Sequence, residues 1–270
     1  MNWRDLSSHE QRVITGLGLA IPIFGLIGYG PVWSWLIPVG LASVLGLWEY
    51  ESLMPLGASL NWERVLYYSV GMVMPGAAFL GSAWGLHACL VIGLFLAFFG
   101  LLLGSPNDSS ALTRVVHRAF AWLYIPYLLS YVPLLGASEE ARAWVFFLLL
   151  VIMAGDAGAY YFGRSFGSRK LYEKVSPKKT VEGSVGGFLC SVVLGCIYGA
   201  LFIDGMSLAK ILLLSAVLSL VGQCGDLFES MIKRMSGKKD SSRLLPGHGG
   251  VLDRLDSLLF AFPAVWFFAE

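Results

Sequence analysis

The densest chemistry in this chain lies in one stretch near its C-terminal end. It reads Gly225-Asp226-Leu227-Phe228-Glu229-Ser230-Met231-Ile232-Lys233-Arg234, then Lys238-Lys239-Asp240-Ser241-Ser242, then Pro246-Gly247-His248-Gly249-Gly250-Val251-Leu252-Asp253-Arg254-Leu255-Asp256. If residues 222–234 are helical, three-and-four spacing places Asp226, Glu229, Ser230 and Lys233 on one face. Asp253 and Asp256 are three apart, so they share a face of a following helix. Carboxylates converging from two helices make a hard oxygen donor set. Mg2+ favours such donors, completing its shell with waters and substrate phosphates. The interleaved Lys233, Arg234, Lys239 and Arg254 are candidate phosphate clamps. Asp226 and Asp253 are the first candidates for metal ligands, and Asp256 the next. Asp240 is read as orienting a lysine or a water.

Two further elements extend this chemistry. The glycines around His248 give a tight, backbone-exposed approach to the last apolar segment. Its amides, at a helix start, are expected to cradle phosphate oxygens, with Gly249 and Gly250 near the ligand. Upstream, Ser176-Pro177-Lys178-Lys179-Thr180-Val181-Glu182-Gly183 places hydroxyls beside a lysine pair. Lys178 and Lys179 are expected to meet phosphate groups, and Glu182 to fix one cation. A basic loop beside a membrane also holds topology or attracts anionic lipid. Asp156 interrupts an apolar run; a carboxylate there needs a basic partner or a watery cavity.

The elements that must position these groups are apolar. Of 270 residues, 56% are hydrophobic types and 14% are charged. Soluble domains carry about 25% charged residues, so this composition points to a membrane protein and excludes a disordered chain. With a net charge of +1, the chain has no bulk attraction for nucleic acid. Cys89, Cys190, Cys196 and Cys224 lack metal-ligand spacing and read as small buried hydrophobes.

A membrane span needs about 20 mostly apolar residues. Nine candidates follow: Val13–Tyr29, Trp33–Trp48, Val65–Leu80, Leu86–Leu103, Phe120–Leu135, Ala143–Phe162, Val185–Ile203, Ile211–Gly225 and Val251–Phe268. The first is expected to be a retained helix rather than a cleaved leader. The runs are continuous rather than alternating, so the fold class is an all-α, polytopic membrane protein. With the N-terminus in the cytoplasm, all of the 19 basic residues except Arg142 and Lys210 fall on the cytoplasmic side. Residues 1–140 then form a scaffold for lipid or subunit contact, and residues 141–270 the catalytic half of one continuous membrane domain. Glu49 and Glu51, at the end of the second span, read as an interfacial helix end.

The constellation resembles the phosphatidate cytidylyltransferase (CDP-diglyceride synthase) family. The signature of that family is matched by Ser230, Lys233, Arg234, Lys239, Asp240, Pro246, His248, Gly249, Gly250, Asp253, Arg254 and Asp256. Asp156, Tyr160, Gly163 and the Ser-Pro-Lys-Lys-Thr-x-Glu-Gly run also look like family elements. The resemblance implies conversion of CTP and phosphatidate to CDP-diacylglycerol and diphosphate, with Mg2+ as cofactor. It also implies a helical homodimer in a bacterial-type inner membrane, with its site open to the cytoplasm. On this reading Asp226, Lys233, Lys239, Asp253, Arg254 and Asp256 are catalytic. Lys178, Lys179, Ser230, Arg234, His248, Gly249 and Gly250 bind substrate, and Asp226, Asp253 and Asp256 hold the metal. Another lipid cytidylyltransferase, polyprenol-linked nucleotidyl transfer, or a transporter of anionic solutes are the alternatives.

Overall fold

The structure is a computed structural model that describes residues 7–54, 61–104 and 109–270. Arg4 lies outside the described residues. The chain is almost wholly helical: α1 (Ser8–Tyr29), α2 (Leu36–Leu53), α3 (Asn61–Gly104), α4 (Ser109–Trp122), α5 (Tyr131–Leu135), α6 (Ala141–Phe166), α7 (Val181–Phe202), α8 (Leu208–Met235) and α9 (Leu252–Ala269). The helical class holds, with one small addition: β1 (Lys170–Tyr172) and β2 (Ser176–Thr180) pair antiparallel between α6 and α7. That segment is too polar for a membrane helix, and Pro177 lacks the N–H an interior helical turn requires.

Among the described residues, five helices are long and apolar enough to cross a membrane: Val32–Leu53, Asn61–Leu103, Ala141–Phe166, Val181–Phe202 and Leu208–Met235. The nine expected spans are therefore not all reached as separate long helices. The apolar part of the first helix, Val13–Tyr29, is short. The Phe120–Leu135 candidate is divided by a π-helical turn at Leu123–Tyr127. In α9, Asp253, Arg254 and Asp256 shorten the apolar run.

The third and fourth expected spans are both inside α3. Its 44 residues would extend about 66 Å as a straight helix, over twice the about 30 Å of a hydrocarbon core. The helix is instead broken at Ser82, whose φ is 59°. A Cβ at Gly93 would lie 3.1 Å from Val70, and Gly100 faces the ring of Trp62. These pairings run in opposite sequence directions about the break, so the two arms fold back as an antiparallel hairpin.

The chain forms two compact units. One takes the described residues up to Ala137 together with Asp240–Asp253; the other takes Ser138–Lys239 and Arg254–Glu270. The segment read from sequence with the second half thus clusters with the first, because α2 supplies its hydrogen-bond acceptor, as described below. Within the first unit, Glu63 of α3 is buried against two arginines of α4. Arg118 Nη1 lies 2.7 Å and Arg114 Nε 3.3 Å from Glu63 Oε2.

The second unit is held by close helix packing. Gly155 and Gly158 of α6 face Gly187 and Gly186 of α7, and a Cβ at Gly183 would lie 2.8 Å from the Ala159 carbonyl oxygen. Small residues allow this approach, and backbone and hydroxyl contacts replace side-chain interdigitation. At the opposite end, Asp204 N donates to Glu140 Oε1 at 3.3 Å, joining the α7–α8 connection to the start of α6.

Candidate active site

The second unit gathers carboxylates from three helices. Ser207 caps α8, its hydroxyl accepting from Lys210 N at 3.4 Å. The helix then runs unbroken through Asp226, Glu229, Ser230, Lys233 and Arg234. Gly225 lies directly against the Asp256 carbonyl oxygen and 2.9 Å, by its missing Cβ, from the ring of Phe260. The absent side chain is what lets α8 and α9 approach at this level. Asp226 and Asp256 are within electrostatic reach of one another, and Asp156 of α6 reaches both. Arg254 and Lys179 act on Asp156, and Lys233 on Asp256.

The β-hairpin brings a cation to this cluster. Lys179 of β2 is ion-paired with Asp226. Successive side chains of a strand point to opposite faces, so Lys178 points away and is exposed while Lys179 is half-buried. The sequence treats the two lysines alike; the pleat separates them. At the end of β2, Thr180 Oγ1 accepts from Gly183 N at 3.1 Å and caps α7. Glu182 accepts from Ser168 N at 3.0 Å, Ser168 Oγ at 2.8 Å and Arg169 N, with Arg169 Nε at 3.5 Å. The expected cation partner is therefore Arg169, and most of the carboxylate's work is holding the turn before β1. Ser184 of α7 hydrogen-bonds Gln223 of α8 one turn before the acidic cluster.

The remaining basic candidates divide by what they touch. Lys233 is buried and paired with Glu229 one turn back on α8. Arg234 Nε donates to the Val175 carbonyl at 3.1 Å and Nη1 to the Lys238 carbonyl at 3.3 Å, tying the β-hairpin and the end of α8 together. Lys239 and Arg254 are exposed, and Ser230 is half-buried. Of the four cysteines, all are free thiols; Cys224 is exposed and the others half-buried, rather than buried as expected.

In the first unit, Asp240–Asp253 forms a loop closed by an isolated bridge between Leu245 and Gly249. Here three of the amides expected to cradle phosphate have acceptors within the chain. Gly250 N donates to Asp253 Oδ2 at 2.8 Å, and Val251 N and Leu252 N donate to Glu49 at 2.8 Å each. Asp253 Oδ2 also accepts from Ser241 N and Oγ, both at 2.9 Å. The amides at the start of α9 are thus satisfied by the protein's own carboxylates. The glycines fit the same account. Gly249 has φ of 81°, its missing Cβ facing the Asp253 carboxylate, and Gly250 lies against Glu49 and Ser241. His248 is half-buried, its ring 3.4 Å from where a Cβ would stand on Gly16 of α1.

Glu49 and Ser241 are the groups that the motif reading missed. The available signal was a carboxylate inside Leu47-Trp48-Glu49-Tyr50, where its burial requires compensation.

Among the described residues, no group of three or more His, Cys, Asp or Glu stands at metal-ligand spacing. The donor set in the second unit nevertheless has the right chemistry for Mg2+, which is commonly held by one or two carboxylates plus waters and substrate phosphates. Asp226 and Asp256 match that pattern. Asp253, whose Oδ2 already accepts three hydrogen bonds, matches it less well.

Comparison with known proteins bears on what this cluster does. The phosphatidate cytidylyltransferase of Bacillus subtilis (strain 168) is 40% identical over 271 residues, 96% of each chain. An uncharacterised protein of Escherichia coli K12 is 34% identical over 263 residues, 95% of this chain and 86% of its own length. A phosphatidate cytidylyltransferase of Staphylococcus saprophyticus is 44% identical over 147 residues; the match spans 54% of this chain and 56% of that relative. A family model described as the cytidylyltransferase family matches residues 10–270, and with the near-full-length relatives it establishes that this chain belongs to the cytidylyltransferase family.

Proposed function

We propose that this chain transfers the cytidylyl group of CTP to phosphatidate, forming CDP-diacylglycerol and releasing diphosphate for phospholipid synthesis. The observation that carries the reading is the cluster of Asp156, Asp226 and Asp256 with Lys179 paired to Asp226, in a chain of this family. A phosphatidate phosphate oxygen attacks the α-phosphorus of CTP. The bond from that phosphorus to the bridging oxygen breaks, and diphosphate leaves with the electron pair. No protein nucleophile is required, and such transfers depend on positioning and charge.

Asp226 and Asp256 would hold Mg2+, with Asp156 next to them. Bound Mg2+ supplies positive charge to phosphate oxygens as negative charge moves to the leaving group. Lys179 is close enough to the acidic cluster to meet the phosphate that arrives there. The exposed Lys239 and Arg254 are free in geometry to reach a soluble polyanion. Lys233 keeps Glu229 paired, and Arg234 holds the hairpin that carries Lys179.

The same reading places the chain in a bacterial-type inner membrane as a homodimer, with nine passes and the site facing the cytoplasm. The two arms of α3 supply two of those passes; α1, residues 109–135 and α9 join the remaining long helices. Leu80, Leu102 and Leu103 of α3 are more than 70% exposed, as lipid-facing side chains would be. The basic residues before and after the β-hairpin and after α8 agree with a cytoplasmic side.

The test is a purified-protein assay with radiolabelled CTP. CDP-diacylglycerol and diphosphate should appear in equal amounts, only with phosphatidate and Mg2+ present. Absence of a lipid-linked cytidylyl product from folded protein would overturn the proposal.

A further inference from the structure

Glu49 lies near the end of α2 and is fully buried, at 0% exposure. Both carboxylate oxygens are engaged by one distant segment. Oε1 accepts from Ser242 Oγ at 2.6 Å and Val251 N at 2.8 Å. Oε2 accepts from Leu252 N at 2.8 Å and Ser241 Oγ at 3.0 Å. Burial of a carboxylate is expensive unless its lone pairs are satisfied. Here Ser242 Oγ and two amides satisfy them, with Ser241 Oγ a fourth donor shared with Asp253; the two amides open α9 and have no partner within the helix. The positive end of the helix dipole adds to the attraction.

The arrangement is specific about direction. An apolar residue at position 49 would leave the Val251 and Leu252 amides buried or half-buried without an acceptor. Ser241 Oγ lies within hydrogen-bond distance of both Glu49 and Asp253, at 3.0 and 2.9 Å. A hydroxyl has one proton, so it serves one carboxylate at a time, while Ser241 N holds Asp253 throughout. Gly250 lacks the Cβ that would otherwise strike Glu49 and Ser241. Two carboxylates from opposite ends of the sequence therefore clasp the loop carrying the Pro-Gly-His-Gly-Gly element and the first turn of α9.

We propose that Glu49 is a positioning residue for cytidylyl transfer: by satisfying the amides that open α9, it orders the first turn of the helix that carries Arg254 and Asp256. The inference rests on the reading of Asp226 and Asp256 as the cation ligands. Glu49 itself touches neither substrate nor metal.

The experiment compares wild type with Glu49→Gln, Ser242→Ala and Asp256→Asn, as full-length protein in lipid nanodiscs. Three quantities are read: the kcat and KM for CTP, the Mg2+ midpoint, and the rise in melting temperature on adding Mg2+ without substrate. Glutamine keeps the shape of Glu49 but sets its NH2 against a donor. Glu49→Gln should lower kcat about 10–100-fold and raise the Mg2+ midpoint, the range seen when a support of a metal ligand is removed. The Mg2+-induced rise in melting temperature should shrink. Ser242→Ala, which removes one donor and leaves the carboxylate, should shift the Mg2+ midpoint in the same direction by less. Wild-type kcat and Mg2+ response in Glu49→Gln would overturn the proposal. So would parallel loss of kcat and basal melting temperature with an unmoved Mg2+ midpoint in both Glu49→Gln and Ser242→Ala, which is the signature of a purely structural residue. If Asp256→Asn turns over and responds to Mg2+ like wild type, the cation reading itself fails.

Discussion

Lys179 of β2 and Asp226 of α8 form an ion pair between residues 47 apart in sequence. That pair joins the basic hairpin to the acidic helix and gives each group a function in the other's neighbourhood. Lys179 balances the charge of Asp226; on the proposed reading, in which Asp226 would hold Mg2+, the same lysine would be placed to pair with substrate phosphate.

The two neighbouring lysines should therefore differ. Lys179→Met is expected to lower kcat/KM on the order of a hundredfold, as loss of a charge aimed at a reacting phosphate does. Lys178→Met, at an exposed position on the other face of the strand, should change it by a factor of about two, near the 0.5 kcal/mol typical of surface replacements. Steady-state kinetics with varied CTP and phosphatidate checks this; equal effects would refute the assignment of Lys179 to the site.

The three aspartates read from sequence as metal ligands should also separate. Asp226→Asn and Asp256→Asn should each lose about a hundredfold in turnover, ~3 kcal/mol, on folded protein. Asp253→Asn should mainly lower the melting temperature, because Asp253 holds Ser241 and Gly250. Turnover against Mg2+ concentration, paired with a thermal melt, distinguishes them. A near-normal melt with a displaced Mg2+ curve for Asp253→Asn would restore Asp253 as a ligand.

Gly225→Ala tests the contact that brings α8 to α9. An added Cβ meets the Asp256 carbonyl oxygen, and overpacking of this kind costs roughly 1–3 kcal/mol. Both melting temperature and turnover should fall, without any charge having been changed. A Gly225→Ala protein with wild-type turnover would show that this separation is not critical.

Glu63 provides a contrast within the first unit. Its carboxylate and the Arg118 guanidinium are each about 5% exposed. Removing one partner of a buried pair destabilises by roughly 3–5 kcal/mol. Glu63→Gln should thus reduce stability to denaturant strongly and leave the Mg2+ midpoint of the surviving folded protein unchanged. A displaced midpoint would link this network to the site.

Orientation can be read on a cysteine-free background. A single cysteine at Ser82, at the turn of α3, should react with an impermeant reagent from outside sealed cells, whereas one at Lys174 or Lys238 should not. Outside labelling at position 174 or 238 would reverse the proposed topology.

Residue type and spacing by themselves determined the helical class, the apolar segments and the acidic and basic set on α8 and α9. These are local properties: helical periodicity sets a face, and an apolar run sets its solvent. Even the two arms of α3 were legible as separate apolar runs, although the structure joins them into one element broken at Ser82. Pairing across the chain was decided only by the tertiary structure. Asp253 and Asp256 look equivalent at a spacing of three, but Asp253 sits in the first turn, where unsatisfied amides and Ser241 compete for its carboxylate. Asp256, past that turn, is left to the neighbourhood of Asp226. Lys178 and Lys179 look equivalent until the strand pleat sends only one toward α8. Glu49 read as an interfacial helix end because its four donors lie about 200 residues away, and no local pattern encodes who satisfies a buried charge.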